Sequence, residues 1–172
     1  VLSAPKYNRI RGLMVPIGYN LHNVRGDGDC LYSAVSRAIA LKYPGLEFTQ
    51  DPKTFRNELA EFITKETKNT RNRYDRNELE RIRSAIRRIR TGGWGQEYEV
   101  EKIVDMICKK YDIKFCISVF NAKSELNALN FSDRTQRFSE GLSGGRCDYM
   151  IWLHNSGNSR GSEHFQYMTR RV

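Results

Sequence analysis

The chain has 172 residues, 39% of them hydrophobic, with 29 basic against 20 acidic side chains and a formal net charge of +9. That length fits one domain, and although a mean hydropathy of −0.66 is wet for a globular protein, nine Tyr, eight Phe and two Trp supply bulk for a core. No apolar run approaches the ~20 residues that span a bilayer, and none resembles a signal peptide's apolar segment, so membrane spanning and signal-directed export of this segment are excluded.

The chain opens Val1-Leu2-Ser3, which reads as a single domain, 1–172, cut from a longer protein. In chain order, residues 31 to 43 predict a helix with Leu31, Ala34, Val35 and Ala38 on one face and a stop at Tyr43-Pro44-Gly45. Asp51-Pro52 predicts a second helix start, since Asp caps and Pro suits the first turn; its apolar face is Phe55, Leu59, Phe62 and Ile63. A polar stretch from Lys65 to Arg76 follows. Leu79, Ile82, Ile86 and Ile89 then form a narrow apolar stripe on an Arg-rich helix. Gly92-Gly93-Trp94-Gly95 breaks the chain, and Val100, Ile103, Val104 and Ile107 mark another buried helix.

The period then changes. Ile113, Phe115, Ile117 and Val119 alternate with Lys114, Cys116, Ser118 and Phe120, a strand pattern. Asn121 to Gly145 is a long polar region, and Tyr149 to Leu153 is apolar throughout, as a central strand should be. His154 to Glu163 reads as a loop and His164 to Met168 as a last strand. Helices first and strands later argue an α+β fold.

Cys30, Cys108, Cys116 and Cys147 make no Cys-x-x-Cys pattern and are too sparse for a disulfide scaffold. Cys108 and Cys116 read as inert core thiols. A zinc site from Cys147, His154 and His164 matches no standard spacing, so neither a metal nor another cofactor is expected. A reducing, cytoplasmic setting is the default.

The segment richest in chemistry is Arg25-Gly26-Asp27-Gly28-Asp29-Cys30-Leu31-Tyr32-Ser33. A flexible acidic turn delivers a cysteine to the start of a helix, where unpaired N–H groups and the helix dipole favour an anion. Such thiols shift toward thiolate, with pKa values of about 3.5–7.5 against about 8.5 for a free thiol. The backbone N–H groups there suit the oxyanion formed when a thiolate attacks a carbonyl. A plain helix-starting turn around a buried cysteine fits the same pattern. A phosphate loop would need a Gly-Lys-Ser/Thr ending and a calcium loop a later acidic ligand, and both are missing. Of the three histidines, His164 is the best base because it begins a strand after a polar loop. It lies 134 positions beyond Cys30, a Cys-then-His order known in cysteine proteases. His154 is the reserve, and His22 has no strand to fix it.

Asp27-Gly28-Asp29-Cys30-Leu31-Tyr32, with Ser36 following, resembles the nucleophile motif of the OTU (ovarian tumour) family of cysteine proteases. Trp94 to Val100 resembles that family's Trp-Gly block leading into a helix, and Gly161 to Tyr167, centred on His164-Phe165, its histidine block. Together the three cover about residues 20 to 168. The resemblance implies a papain-like α+β fold with helices around a small sheet, and hydrolysis of the isopeptide bond at the C-terminal glycine of ubiquitin or polyubiquitin. It implies Cys30 as nucleophile, His164 as general base, and an oxyanion hole from the backbone of Asp27, Gly28 and Cys30. Where the family places Asp or Asn to orient the imidazole, this chain has Gln166; Asn155 or Asn158 are alternatives, as is a Cys–His dyad. Trp94 would wall the channel for the substrate's terminal glycines or pack as a core Trp behind the helix, and Glu97 and Glu99 would meet the arginines near ubiquitin's C-terminus or serve, as exposed helix-start acids, as dipole partners.

The resemblance does not account for the basic stretch 65–90, which holds ten Lys or Arg against four acids, a net +6. Arg81, Arg83, Arg87, Arg88 and Arg90 form either a solvated face, a grip on ubiquitin, or a site for nucleic acid or an anionic membrane. A catalytically weak OTU-like module that binds through this helix is the competing expectation, and a ubiquitin-like modifier is an alternative substrate. A microbial effector acting in host cytoplasm is the expected setting.

Overall fold

The computed structural model describes residues 7–10, 13–122, 134–142, 146–156 and 164–171. Among the described residues there are four α-helices, each with an apolar face turned inward. α1 (Cys30–Lys42) buries Leu31, Ala34, Val35, Ala38 and Ile39 and gives way at Tyr43-Pro44. In α2 (Pro52–Asn69) the Asp51 carboxylate accepts from Thr54 N at 3.2 Å and Thr54 Oγ1 at 2.6 Å. α3 (Arg76–Arg90) opens on a capping box: Glu78 N donates to Asp75 Oδ1 at 2.8 Å, and Asp75 N to Glu78 Oε2 at 3.3 Å. α4 (Glu97–Tyr111) ends at Asp112, which adopts the left-handed conformation, φ 52°.

The strands are β1 (Tyr7–Ile10), β2 (Leu13–Pro16), β3 (Tyr19–His22), β4 (Phe115–Asn121), β5 (Thr135–Phe138), β6 (Tyr149–Asn155) and β7 (Phe165–Arg170). β1 and β2 pair with each other; the rest form one sheet in the order β3-β7-β6-β4-β5. β4 and β6 run parallel, with Ile117 opposite Ile151, and all other neighbours are antiparallel. One face of the sheet carries Phe115, Ile117, Val119, Ile151, Leu153 and Phe165 into a common core with α1, α2 and α4. The other face carries Phe120 and Met168 into a smaller core with Val15 and Tyr19. The protein is therefore α+β, with its helices gathered over one side of a small mixed sheet.

Four expectations change. Three short strands precede the first helix, so the chain does not run helices first. β4 is buried on both faces rather than alternating in and out, because the β1–β3 side supplies a second core. β6 runs on to Asn155, which puts His154 inside the strand; residues 157–163 of the expected loop lie outside the described residues. Cys116 is not a free thiol: it is disulfide-bonded to Cys147, with Cα atoms 5.8 Å apart, joining β4 to the segment that leads into β6. That bond also removes Cys147 from any Cys147–His154–His164 metal set. Among the described residues no three His, Cys, Asp or Glu side chains gather for a metal ion. No helix among them is long and apolar enough to cross a membrane.

Candidate active site

Between β3 and α1 the chain folds into a tight turn closed by its own groups. Asp27 N donates to Arg25 O at 2.9 Å, Asp29 N to the Asp27 carboxylate at 2.9 Å, and Cys30 N to Asp27 O at 3.2 Å. Cys30 becomes the first residue of α1 with its side chain fully buried. The turn sits hard against the loop after α3. A Cβ at Gly28 would lie 2.4 Å from Gly92 O, so only glycine allows this approach. Gly95 has the same role one element further on, since a Cβ there would lie 2.4 Å from Leu31 Cδ2. This is the physical content of the Trp-Gly block: it seats the loop on α1 beside Cys30.

His164 precedes β7 and is placed from two sides. Ser156 N, just past β6, donates to His164 O at 3.0 Å. The next residue's amide, Phe165 N, donates to Cys30 Sγ at 3.4 Å. The His164 ring lies over Gly26, whose missing Cβ would stand 3.6 Å from Cε1 and 3.7 Å from Nδ1. Strand and helix thus bring Cys30 and His164 to one point, although 134 residues separate them in sequence.

The protonation at that point differs from the sequence expectation. Burial raises the Cys30 thiol above its ordinary value, and the Asp27 carboxylate adds to the rise while the Phe165 amide opposes it. Burial lowers His164, against a smaller upward pull from Asp27. Desolvation of the sulfur works against the thiolate that the helix start would favour. Both shifts favour the neutral forms of the two groups.

Gln166 is buried on β7, opposite His154. Its Nε2 donates to Asn23 Oδ1 at 3.2 Å, and neither its Oε1 nor His164 Nδ1 has a hydrogen-bond partner among the described residues. Asn155 is buried at the end of β6, opposite Phe165; Asn158 lies outside the described residues. His22 does have a strand to fix it, contrary to expectation: on β3 it stacks on Tyr167 at 4.5 Å and its Nε2 lies 2.7 Å from Thr169 Oγ1.

Trp94 is half-buried against the main core. Glu97 is exposed at the start of α4, where Gln136 Nε2 donates to it at 3.0 Å. It lines a pocket with Val119, Asn155 and Phe165, one residue from His164. Glu99 is no surface acid. It is fully buried, takes the Arg88 Nε at 2.9 Å with a second bond from Arg88 Nη2, and accepts from Gln96 N at 3.0 Å. Arg88 therefore leaves the basic face and belongs to the interior, where a desolvated carboxylate needs a bidentate partner. Arg81, Arg83, Arg87 and Arg90 stay exposed on α3.

Arg56 was missed. On α2 it shares a face with Ala60 and Ile63, the one hint that it points inward. It is 5% exposed and lies over the Tyr32 ring at 4.3 Å. Its guanidinium reaches the Asp29 carboxylate, Gly28 O, Ile89 O and Gly93 O.

A model of the OTU-like cysteine protease family matches residues 25–138 of the chain, which takes in the turn that carries Cys30 and the Trp94-Gly95 block and stops before His164. Among solved structures, the chain is similar to the OTU domain of OTUD1, with TM-score 0.54 and 16% identity over 88% of this chain and 85% of that one. It is similar to an OTU deubiquitinase from Wolbachia pipientis wMel, with TM-score 0.54 and 18% identity over 91% of each chain. The ubiquitin-bound structure of that deubiquitinase gives TM-score 0.53 and 15% identity over 91% of this chain and 98% of that one. No curated protein sequence matches the chain. At these identities the likeness concerns the fold.

Proposed function

The chain belongs to the OTU-like cysteine proteases, and from that premise we propose that it is a deubiquitinase, cleaving the isopeptide bond at the C-terminal glycine of ubiquitin. The observation that carries the reading is the junction of α1 and β7: the amide after His164 rests on the Cys30 sulfur, at the mouth of the one turn that matches the family's nucleophile segment. The similar OTU deubiquitinase from Wolbachia pipientis wMel is known in a ubiquitin-bound structure, which favours ubiquitin over other modifiers.

In the proposed reaction the Cys30 thiol passes its proton to His164 as the sulfur attacks the glycine carbonyl. Burial favours the neutral pair, so proton transfer accompanies entry of the tail and formation of the bond. The proton goes next to the leaving lysine amine. Water, deprotonated by His164, then releases ubiquitin's carboxylate from the thioester. The amides of Asp27, Gly28 and Cys30 make the oxyanion hole. Two of them are spent at rest on Arg25 O and Asp27 O, so the hole opens when the tail carbonyl displaces those acceptors. Gln166, whose Oε1 has no partner among the described residues, is the group that would steady the imidazole. Trp94 and Glu97 line the path of the tail, with Glu97 facing its basic side chains. The setting is cytoplasmic, where ubiquitin conjugates are found and where the Cys116–Cys147 bond would be reduced.

The test is incubation with ubiquitin bearing a thiol-reactive C-terminus, beside Cys30→Ala and His164→Ala. A covalent adduct that disappears in Cys30→Ala and slows at least 100-fold in His164→Ala supports the proposal. A folded native chain that does not label ends it.

A further inference from the structure

We propose that Arg56 is a positioning residue of the active site, a buried clamp that sets the orientation of the Gly28–Asp29 peptide and ties the nucleophile turn to the end of α3. The guanidinium spends its donors on four separate acceptors. Nε donates to Asp29 Oδ1 at 2.8 Å, Nη1 to Ile89 O at 3.0 Å, and Nη2 to Gly93 O at 3.0 Å and to Gly28 O. Only one of these partners is charged. The others are main-chain carbonyls from the turn before α1, the end of α3 and the loop after it, which Arg56 joins through one side chain.

The geometry matters because a peptide's N–H and C=O point in opposite directions across its plane. With Gly28 C=O drawn into Arg56, the Asp29 N–H at the other side of that peptide is aimed at the Asp27 carboxylate. The carbonyl is thereby kept away from the Cys30 side of the turn. Released, it is free to rotate and present a negative dipole where an oxyanion would form, opposing the charge that develops there. The same clamp holds Asp29, whose carboxylate sits at the N-cap of α1 but makes no cap bond of its own. It also holds the Gly92–Gly93 loop in the van der Waals contact that excludes a side chain at Gly28.

Lysine cannot substitute. Its three donors radiate from one atom and cannot span acceptors arranged around a planar fork. It would also lose the stacking on Tyr32.

The test has two arms, of which the kinetic one rests on the deubiquitinase reading. Arg56→Gln and Arg56→Lys are compared with the native chain by amide hydrogen exchange, and by hydrolysis of a fluorophore amide at ubiquitin's C-terminus. The expected result is exchange at least ten times faster over residues 26–31, with β6 and β7 unchanged. With it goes a kcat about 100-fold lower at a KM within threefold, the loss expected of a misplacement of about 1 Å. Lysine should rescue neither arm. Turn exchange equal to the native chain's, or a rise shared equally by β6 and β7, overturns the proposal, as does a kcat within threefold of native. If the native chain itself cleaves no ubiquitin amide, the deubiquitinase reading falls and the exchange arm alone decides the role of Arg56. If Arg56→Gln does not fold, Arg56→Lys decides it by the same readings.

Discussion

Gly95→Ala should damage both stability and reactivity through one added methyl group. The new Cβ would stand 2.4 Å from Leu31 Cδ2, 2.9 Å from Leu31 Cβ and 3.2 Å from Leu31 Cγ. An ordinary carbon–carbon contact begins near 3.5 Å, so Leu31 must retreat by about 1 Å. Leu31 is fully buried and its side chain has little room to turn, so the strain passes to the first turn of α1. Overpacking of this kind costs about 1–3 kcal/mol. For a chain of this size that lowers Tm by about 2–4 °C per kcal/mol. Cys30 is the neighbouring residue, and a nucleophile displaced by about 1 Å loses about 100-fold in rate. Urea unfolding and the rate of adduct formation with thiol-reactive ubiquitin read the two effects. Leu31→Ala combined with Gly95→Ala should destabilise less than the two changes added together, because the clash then has no partner. A Gly95→Ala chain with native stability and native labelling would refute the steric reasoning.

Three further outcomes follow from the interior. Because burial raises Cys30 and lowers His164, alkylation of Cys30 by chloroacetamide should rise only at alkaline pH, with no plateau below neutrality. His164→Ala should leave that profile in place; a plateau down to pH 5 would mean a resting thiolate. Burial pushes the Asp105 carboxyl up to about 6, against the pull of Lys102. Its ionisation therefore penalises the folded state above pH 6, by about 3 kcal/mol at most, and the penalty fades as pH falls toward the ordinary carboxylate value. Asp105→Asn should be about 1–2 kcal/mol more stable than the native chain at pH 7.5 and no more stable at pH 4, read by urea unfolding. The Cys116–Cys147 bond closes a loop with a sequence separation of 31. Replacing both by Ser should cost about 4 kcal/mol more when measured against the oxidised native chain than against the reduced one.

The parts legible in the sequence were those written locally. Asp51-Pro52 announces a helix start because cap and fixed φ lie side by side, and Tyr149 to Leu153 announces a buried strand because five apolar residues run together. The nucleophile turn was legible for the same reason, since its closing bonds join residues two or three apart. What stayed hidden depends on contacts across the chain. Tyr19 to His22 is a four-residue edge strand with polar Asn20 and His22, and only β7 makes it a strand. Cys116 and Cys147 carry no spacing signal; parallel pairing of β4 and β6 brings them together. Glu99 looks like a helix-start acid until α3 supplies Arg88. The expectation of a thiolate weighs the helix dipole without the burial that opposes it.

The pairing of β3 with β7 has a mechanical side. Tyr19 lies opposite Arg170 and His22 opposite Tyr167, while Arg171 N donates to Gly18 O at 2.8 Å. A pull applied through residues 18 and 171 therefore loads this antiparallel pair at one end, as a zip is opened, and its hydrogen bonds break in turn rather than in shear. Little force is needed for that mode. A motor that grips the chain just beyond residue 171 would peel β7 first, and β7 is the strand that begins beside His164. The hydrogen bond from the Phe165 amide to the Cys30 sulfur would be lost as that strand leaves.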